Sequence, residues 1–146
     1  ALQPSAIALG CSAFVTGPLM RLGRAAAAWQ VLACTDDEWR RAVDALRDRA
    51  AASGSDIALS IYPWDIVTEM ETRLEQPQAM LLVVPNGKVK LLNALPFAPA
   101  DLRSQTLEEA WDAYKAAWRT PEVREFVTAC RADPSLLRHA NETWTV

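Results

Sequence analysis

Ala79-Met80-Leu81-Leu82-Val83-Val84-Pro85-Asn86-Gly87-Lys88-Val89-Lys90-Leu91-Leu92-Asn93-Ala94-Leu95 is the stretch on which the fold turns. Two β-prone runs meet at Asn86-Gly87. That is the strongest short-range hairpin signal, because a two-residue type I′ turn needs positive φ at both central positions. Lys88 and Lys90 alternate with Val89 and Leu91, which predicts a return strand with one wet face. After Pro96-Phe97-Ala98-Pro99 a linker reaches Thr106-Leu107-Glu108-Glu109, a capping box that opens an amphipathic helix. Leu107, Ala110, Trp111, Tyr114, Ala117 and Trp118 share its inner stripe. Hairpin, proline-bearing loop and capped helix make one α+β unit.

Downstream, Thr120-Pro121 starts another helix with Val123, Phe126, Val127 and Cys130 inside. Asp133-Pro134 opens a last turn, and the tail to Val146 is expected to fray. Upstream, Ser5 to Leu9 reads as a short buried strand and Gly10 to Pro18 as a loop. Leu19 to Trp29 is ambiguous, its alanines favouring helix and Gly23 interrupting it. Thr35-Asp36-Asp37-Glu38 is a second capping box. Trp39, Ala42, Val43, Leu46 and Ala50 then mark one face of a helix that Ser53-Gly54 ends. Asp56 to Tyr62 alternates as a strand, and Trp64 to Leu74 reads as a short helix or irregular chain. The expected class is α+β: strand, helix and strand in an α/β arrangement over residues 1–74, then a hairpin-and-helix domain over 75–146. The seam falls in the polar passage Glu71 to Gln78.

Composition narrows the function. A chain of 146 residues, 51% apolar and 23% charged, is an ordinary globule with room for a core. Its net charge of −3 and lack of a Lys/Arg run argue against nucleic acid. Cys11, Cys34 and Cys130 are odd in number and far apart, so neither a disulfide framework nor a CxxC pair can be read. The apolar stretch Ala6 to Met20 has no basic lead, contains Gly10, Gly17 and Pro18, and falls short of the ~20 residues of a membrane span. Cytosol is the expected location, with no membrane partner. The opening Ala-Leu-Gln-Pro reads as that of a fragment or processed chain.

His139 is the only histidine and reads as a surface residue. No GxSxG, Walker, GxGxxG or HExxH motif occurs, and the acidic pairs at helix starts answer to the helix dipole. No catalytic residue and no metal ligand is therefore assigned. Of six tryptophans, Trp39, Trp111 and Trp118 fall on core stripes. Trp29, Trp64 and Trp144 lie in irregular segments and are candidates to line a groove for a peptide or aromatic ligand.

Several short motifs together resemble the C-terminal portion of a radical SAM enzyme of the SPASM/twitch, peptide-modifying type. Leu22-Gly23-Arg24-Ala25 resembles that group's Gly-Arg-Ala loop, which adds Arg24 to Trp29 and Trp64 as candidate substrate-binding residues. Val83-Val84-Pro85-Asn86-Gly87-Lys88-Val89 resembles its hairpin. Asp101-Leu102-Arg103 with Thr106-Leu107-Glu108-Glu109-Ala110-Trp111 resembles its helix start. The likeness is dense from Val83 to Trp111, and it implies that residues 1–74 are the terminal α/β elements of a partial barrel and 75–146 a twitch-like hairpin-and-helix domain. It implies a [4Fe–4S] cluster and S-adenosylmethionine for the complete enzyme. The implied partners are the remainder of a radical SAM barrel and a precursor peptide. The chain departs from the pattern in lacking CxxxCxxC, and Leu91-Leu92 stand where an auxiliary-cluster cysteine is expected. A twitch-like cap that positions substrate and holds no cluster is the reading that follows. The alternative, from another class, is a stand-alone peptide-binding or protein-interaction module that uses the hairpin edge for strand addition.

Overall fold

The computed structural model describes residues 2–54, 56–77 and 79–140. Its elements run α1 (Leu2–Ala8), β1 (Ala13–Thr16), α2 (Gly23–Ala27), α3 (Trp29–Leu32), α4 (Asp36–Ala52), β2 (Ala58–Ile61), α5 (Ile66–Glu75), β3 (Leu82–Val83), β4 (Lys88–Lys90), β5 (Ala100–Asp101), α6 (Leu107–Ala117), α7 (Pro121–Ala132) and a terminal 3-10 helix (Pro134–His139). This is a mixed α+β fold. The chain divides into two compact units, one made of Ala1–Leu19 and Gln30–Trp64, the other of Met20–Trp29 and Asp65–Val146. The Trp144 tail lies outside the described residues.

In the first unit β1 and β2 pair in parallel, Ala13 opposite Ala58 and Thr16 opposite Ile61. Parallel neighbours need a long crossover, and α4 lies on it. Thr35 caps α4 as expected: Glu38 N–H donates to its Oγ1 at 3.2 Å, and Thr35 N–H donates back to the Glu38 carboxylate at 2.8 Å. Gln3 of α1 donates from Nε2 to the Leu46 carbonyl of α4 at 3.3 Å. Two expectations fail here. Ser5 to Leu9 is not a strand but part of α1 and the turn after it. The run is alanine-rich, Pro4 sits in the first turn where its missing N–H costs nothing, and Gly10 at φ +72° follows the end. The segment Gly10 to Pro18 is not all loop, because it contains β1. The partner that makes it a strand lies far along the chain, so no local signal announces it.

In the second unit β3, β4 and β5 form an antiparallel meander, with Leu82 opposite Lys90, Val83 opposite Val89, and Val89 opposite Ala100. The hairpin turns at Asn86-Gly87, but not through a type I′ turn. Gly87 N–H donates to Val84 O at 2.8 Å and Val84 N–H to Lys88 O at 2.9 Å, which makes a three-residue loop of Pro85, Asn86 and Gly87. Gly87 has φ +83°, and among the described residues no non-glycine has positive φ. Pro85 decides this: its ring locks φ near −65°, the value wanted at the second position of a type I turn, and Gly87 then takes the left-handed bulge position.

The core of this unit joins Ile66, Val67 and Met70 of α5 to Leu91, Leu95, Tyr114, Trp118, Val123, Val127, Cys130 and Leu137. The segment after Trp64 is thus a helix, capped by Asp65, which accepts N–H bonds from Val67 and Thr68 at 2.8 and 2.9 Å. Its packing sets α5 on the far side of the seam expected at Glu71 to Gln78. The wet face expected of β4 is absent. Lys90 is 2% exposed, its ammonium donating to the carbonyls of Asn93 and Ala140 at 3.5 Å. The cause is chain lying over that face of the sheet, Asn93 from the loop after β4 and Ala140 from the end of the terminal 3-10 helix. Burial lowers the Lys90 pKa, since the interior disfavours the charge.

On α6, Trp118 is buried as its stripe position requires, and Trp111 is half-buried, stacked on Tyr114 at 5.3 Å between ring centres. Leu107 departs from the stripe and is 65% exposed. It is the first residue of α6, and side chains lean toward a helix's N-terminus, here off the end of the stripe that Ala110 begins.

Candidate functional site

The segment Met20 to Leu22 alternates. Met20 and Leu22 pack against the core of the second unit, and Arg21 between them faces another way. Leu22 is extended (φ −125°, ψ 146°), and Gly23 then takes φ +48°, with open space where a Cβ would project. Glycine is needed there for its backbone freedom rather than for a close approach. The single turn of α2 follows and presents Arg24 to solvent.

Arg21 lays its guanidinium over the indole of Trp29, its carbon 5.6 Å from the ring centre. Its Nε is sealed from solvent without a hydrogen-bond partner. The terminal 3-10 helix packs against α2 and is capped by Asp133. Hydrogen bonds from Ser135 hold the Asp133 carboxylate below its usual range, and the positive charge of Arg21 adds to this from beyond ion-pair distance.

Of the three predicted site residues, Arg24 and Trp29 therefore share one short segment of the second unit. Trp64 belongs to the first unit, where it meets Tyr62 edge-on at 5.9 Å. Arg21 was missed by sequence reasoning. The signal that could have found it is the alternation Met20-Arg21-Leu22, a charge between two apolar side chains directly before a glycine.

The stretch Val83 to Trp111 closes on itself through polar contacts. Leu102 N–H donates to Gly87 O at 2.9 Å. Asp101 accepts from the Arg103 backbone N–H at 3.0 Å and from its Nε at 2.9 Å. That pairing holds the Asp101 carboxyl well below the usual range. A Cβ on Gly87 would lie 2.8 Å from Arg103 Cγ, so the aliphatic stem of Arg103 crosses the turn where only glycine leaves room. Gln105 accepts the Asp101 N–H at 2.7 Å, and Thr106 with Glu109 closes the α6 capping box.

An iron–sulfur cubane takes three or four thiolates. The second unit's described residues supply Cys130, which is fully buried, its thiol pushed up to about 11 by burial with the Asp133 charge adding. Such a group packs as a small hydrophobe. Cys11 and Cys34 are exposed and belong to the first unit. Among the described residues no group of three His, Cys, Asp or Glu side chains is placed to hold a metal ion. Within the second unit Cys130 is the one cysteine among the described residues, too few thiolates for a cubane, and none of the chemistry below passes through one.

Glu69 is 3% exposed and accepts from Arg73 Nε at 2.7 Å along one turn of α5. No helix among the described residues is long and apolar enough to cross a membrane. Comparison with protein-family models, with curated proteins and with solved structures found no match.

Proposed function

We propose that this chain is the C-terminal, substrate-positioning segment of a cytoplasmic radical SAM enzyme that modifies a peptide or small molecule, its twitch-like auxiliary domain holding no cluster. One observation carries the reading. The three short motifs that resemble the family (Val83 to Val89, Asp101 to Arg103 and Thr106 to Trp111) assemble into one contiguous structure, with Arg103 crossing Gly87 and Asp101 gripping Arg103. Motifs matched by chance in separate places have no reason to interlock. The parallel β1–β2 pair supports the same reading as the terminal part of a barrel. The role is positional: to orient the substrate and exclude water around it.

The test is to read the gene upstream of Ala1, purify the whole polypeptide anaerobically, reconstitute it with iron and sulfide, and assay cleavage of S-adenosylmethionine. A CxxxCxxC segment and cleavage by the whole polypeptide, with neither cluster nor cleavage in this chain alone, are expected. A whole polypeptide without that segment overturns the reading.

A second reading, a stand-alone peptide-binding module, is favoured by β3. Its sole strand partner among the described residues is β4, and Val83 on it is 48% exposed. An added peptide strand would pair there.

A further inference from the structure

We infer that Arg21, fixed on the indole of Trp29, is the receptor for an oxyanion of the ligand. A carboxylate of an acidic peptide and a free phosphate offer the same two-oxygen fork.

The guanidinium has an aromatic neighbour and uncommitted outer donors. Its carbon stands 5.6 Å over the Trp29 ring centre and its Nε is sealed, while its two terminal nitrogens make no hydrogen bond to any described residue. A planar fork held in place with its outer donors uncommitted is pre-organised for a bidentate anion, because the entropy of ordering the side chain is already spent.

The neighbourhood points the same way. In this unit Arg73, Arg103, Arg124 and Arg131 each lie within ion-pair distance of a carboxylate. Arg21, Arg24, Arg119 and Arg138 do not; Arg119 follows α6, and the other three sit on or beside two elements packed together, α2 and the terminal 3-10 helix. The carboxylate whose field Arg21 feels, Asp133, is committed to Ser135. On a chain of net charge −3 this is an excess of positive charge in one place, which raises the local concentration of anions.

The inference rests on the substrate-positioning reading only for the identity of the natural ligand. Its test uses this chain alone. A hexapeptide of alternating Glu and Gly, its Gln counterpart and inorganic phosphate are titrated separately by calorimetry, with the Arg21 Nε–H resonance followed by NMR. The acidic peptide or phosphate is expected to bind and move that resonance, and the Gln peptide to do neither. Binding by the peptide alone assigns the site to a carboxylate, and binding by phosphate assigns it to a free anion.

Arg21→Ala should weaken binding about tenfold, the worth of one charged hydrogen-bonded contact. Arg21→Lys, which keeps the charge and loses the fork, should weaken it several-fold and settles the matter if the alanine variant fails to fold. Arg41→Ala, an exposed charge of the first unit, should change nothing. Binding of neither anion, or binding that Arg21→Lys and Arg21→Ala leave intact, overturns the inference. A whole polypeptide without CxxxCxxC would sink the enzymatic reading and leave the Arg21 affinity standing, so the two failures are distinguishable.

Discussion

The second unit encloses Met70, Leu95, Tyr114, Trp118, Val127 and Cys130 at 1% exposure or less, whereas the first buries only Gln3 and Val43 among its described residues. The first leaves Val15 70% exposed on β1 and Val31 86% exposed. Both units carry the same kind of helix start, a Thr–Glu capping box, and both contain paired strands. Local devices are therefore equal, and what differs is enclosed apolar surface, the dominant favourable term in folding. The difference teaches that caps and strand pairing specify elements, while burial decides which elements hold together. A two-stranded parallel sheet with one face open is an exception to the rule that such sheets are covered on both sides.

The comparison breaks most sharply at the tryptophans. Trp118→Ala should cost about 3–5 kcal/mol, the range for large aromatics removed from a core. Trp39→Ala, on the half-buried face of α4, should cost less than half of that in the same chemical denaturation. Equal losses would mean that the first unit's core has been underrated.

Glycines at positive φ give the next largest contrast. Gly87→Ala meets both the left-handed penalty and Arg103, about 1–3 kcal/mol in total. Gly54→Ala, at φ +59° with open space around it, meets the conformational penalty alone, about 1 kcal/mol. Thermal melts of the two variants should separate, with the Gly87 variant the lower.

Removing either cap should cost about 1 kcal/mol. Thr106→Ala is expected to lower the global midpoint, because α6 belongs to the enclosed core. Thr35→Ala is expected to speed amide hydrogen exchange in α4 and leave exchange in α6 and α7 unchanged. Uniform acceleration across both units would show that they open together.

The smallest effect at neutral pH belongs to the thiols. Cys11 and Cys34 should alkylate in the native state, and Cys130 only on unfolding. The folded Cys130 pKa of about 11 lies above the reference value of 9.0, so the folded state holds its proton more tightly. The resulting stability is whole below about pH 9 and is lost as pH rises toward about 11. Cys130→Ala should flatten that alkaline decline. A decline of unchanged steepness would place the titrating group elsewhere.

Legibility follows the range of the interactions. Capping boxes at Thr35 and Thr106, the proline start at Pro121, the glycine of the hairpin and the buried stripe of α7 were readable because each joins residues within a few positions of one another. The candidate site was half readable. Arg24 and Trp29 stood out by motif and by residue type, but Arg21 became visible only when the chain brought Trp29 under it. Trp64, chosen on the same grounds as Trp29, lies in the other unit.

What the amino-acid order determined by itself was the three helices that start after Thr35, Thr106 and Thr120, the position of the hairpin and the absence of a cluster-binding cysteine spacing. Tertiary structure alone decided that Lys90 is interior, that Ala13–Thr16 is a strand and that Met20–Trp29 belongs with the second unit. Each of those depends on a partner far away in the chain. Ala140 lies against Lys90, β2 completes β1, and the core that starts at Ile66 receives Met20 and Leu22. Pro85 marks the boundary between the two kinds of information. It is a local residue whose fixed φ moved the turn by one position, and its effect was there to be read.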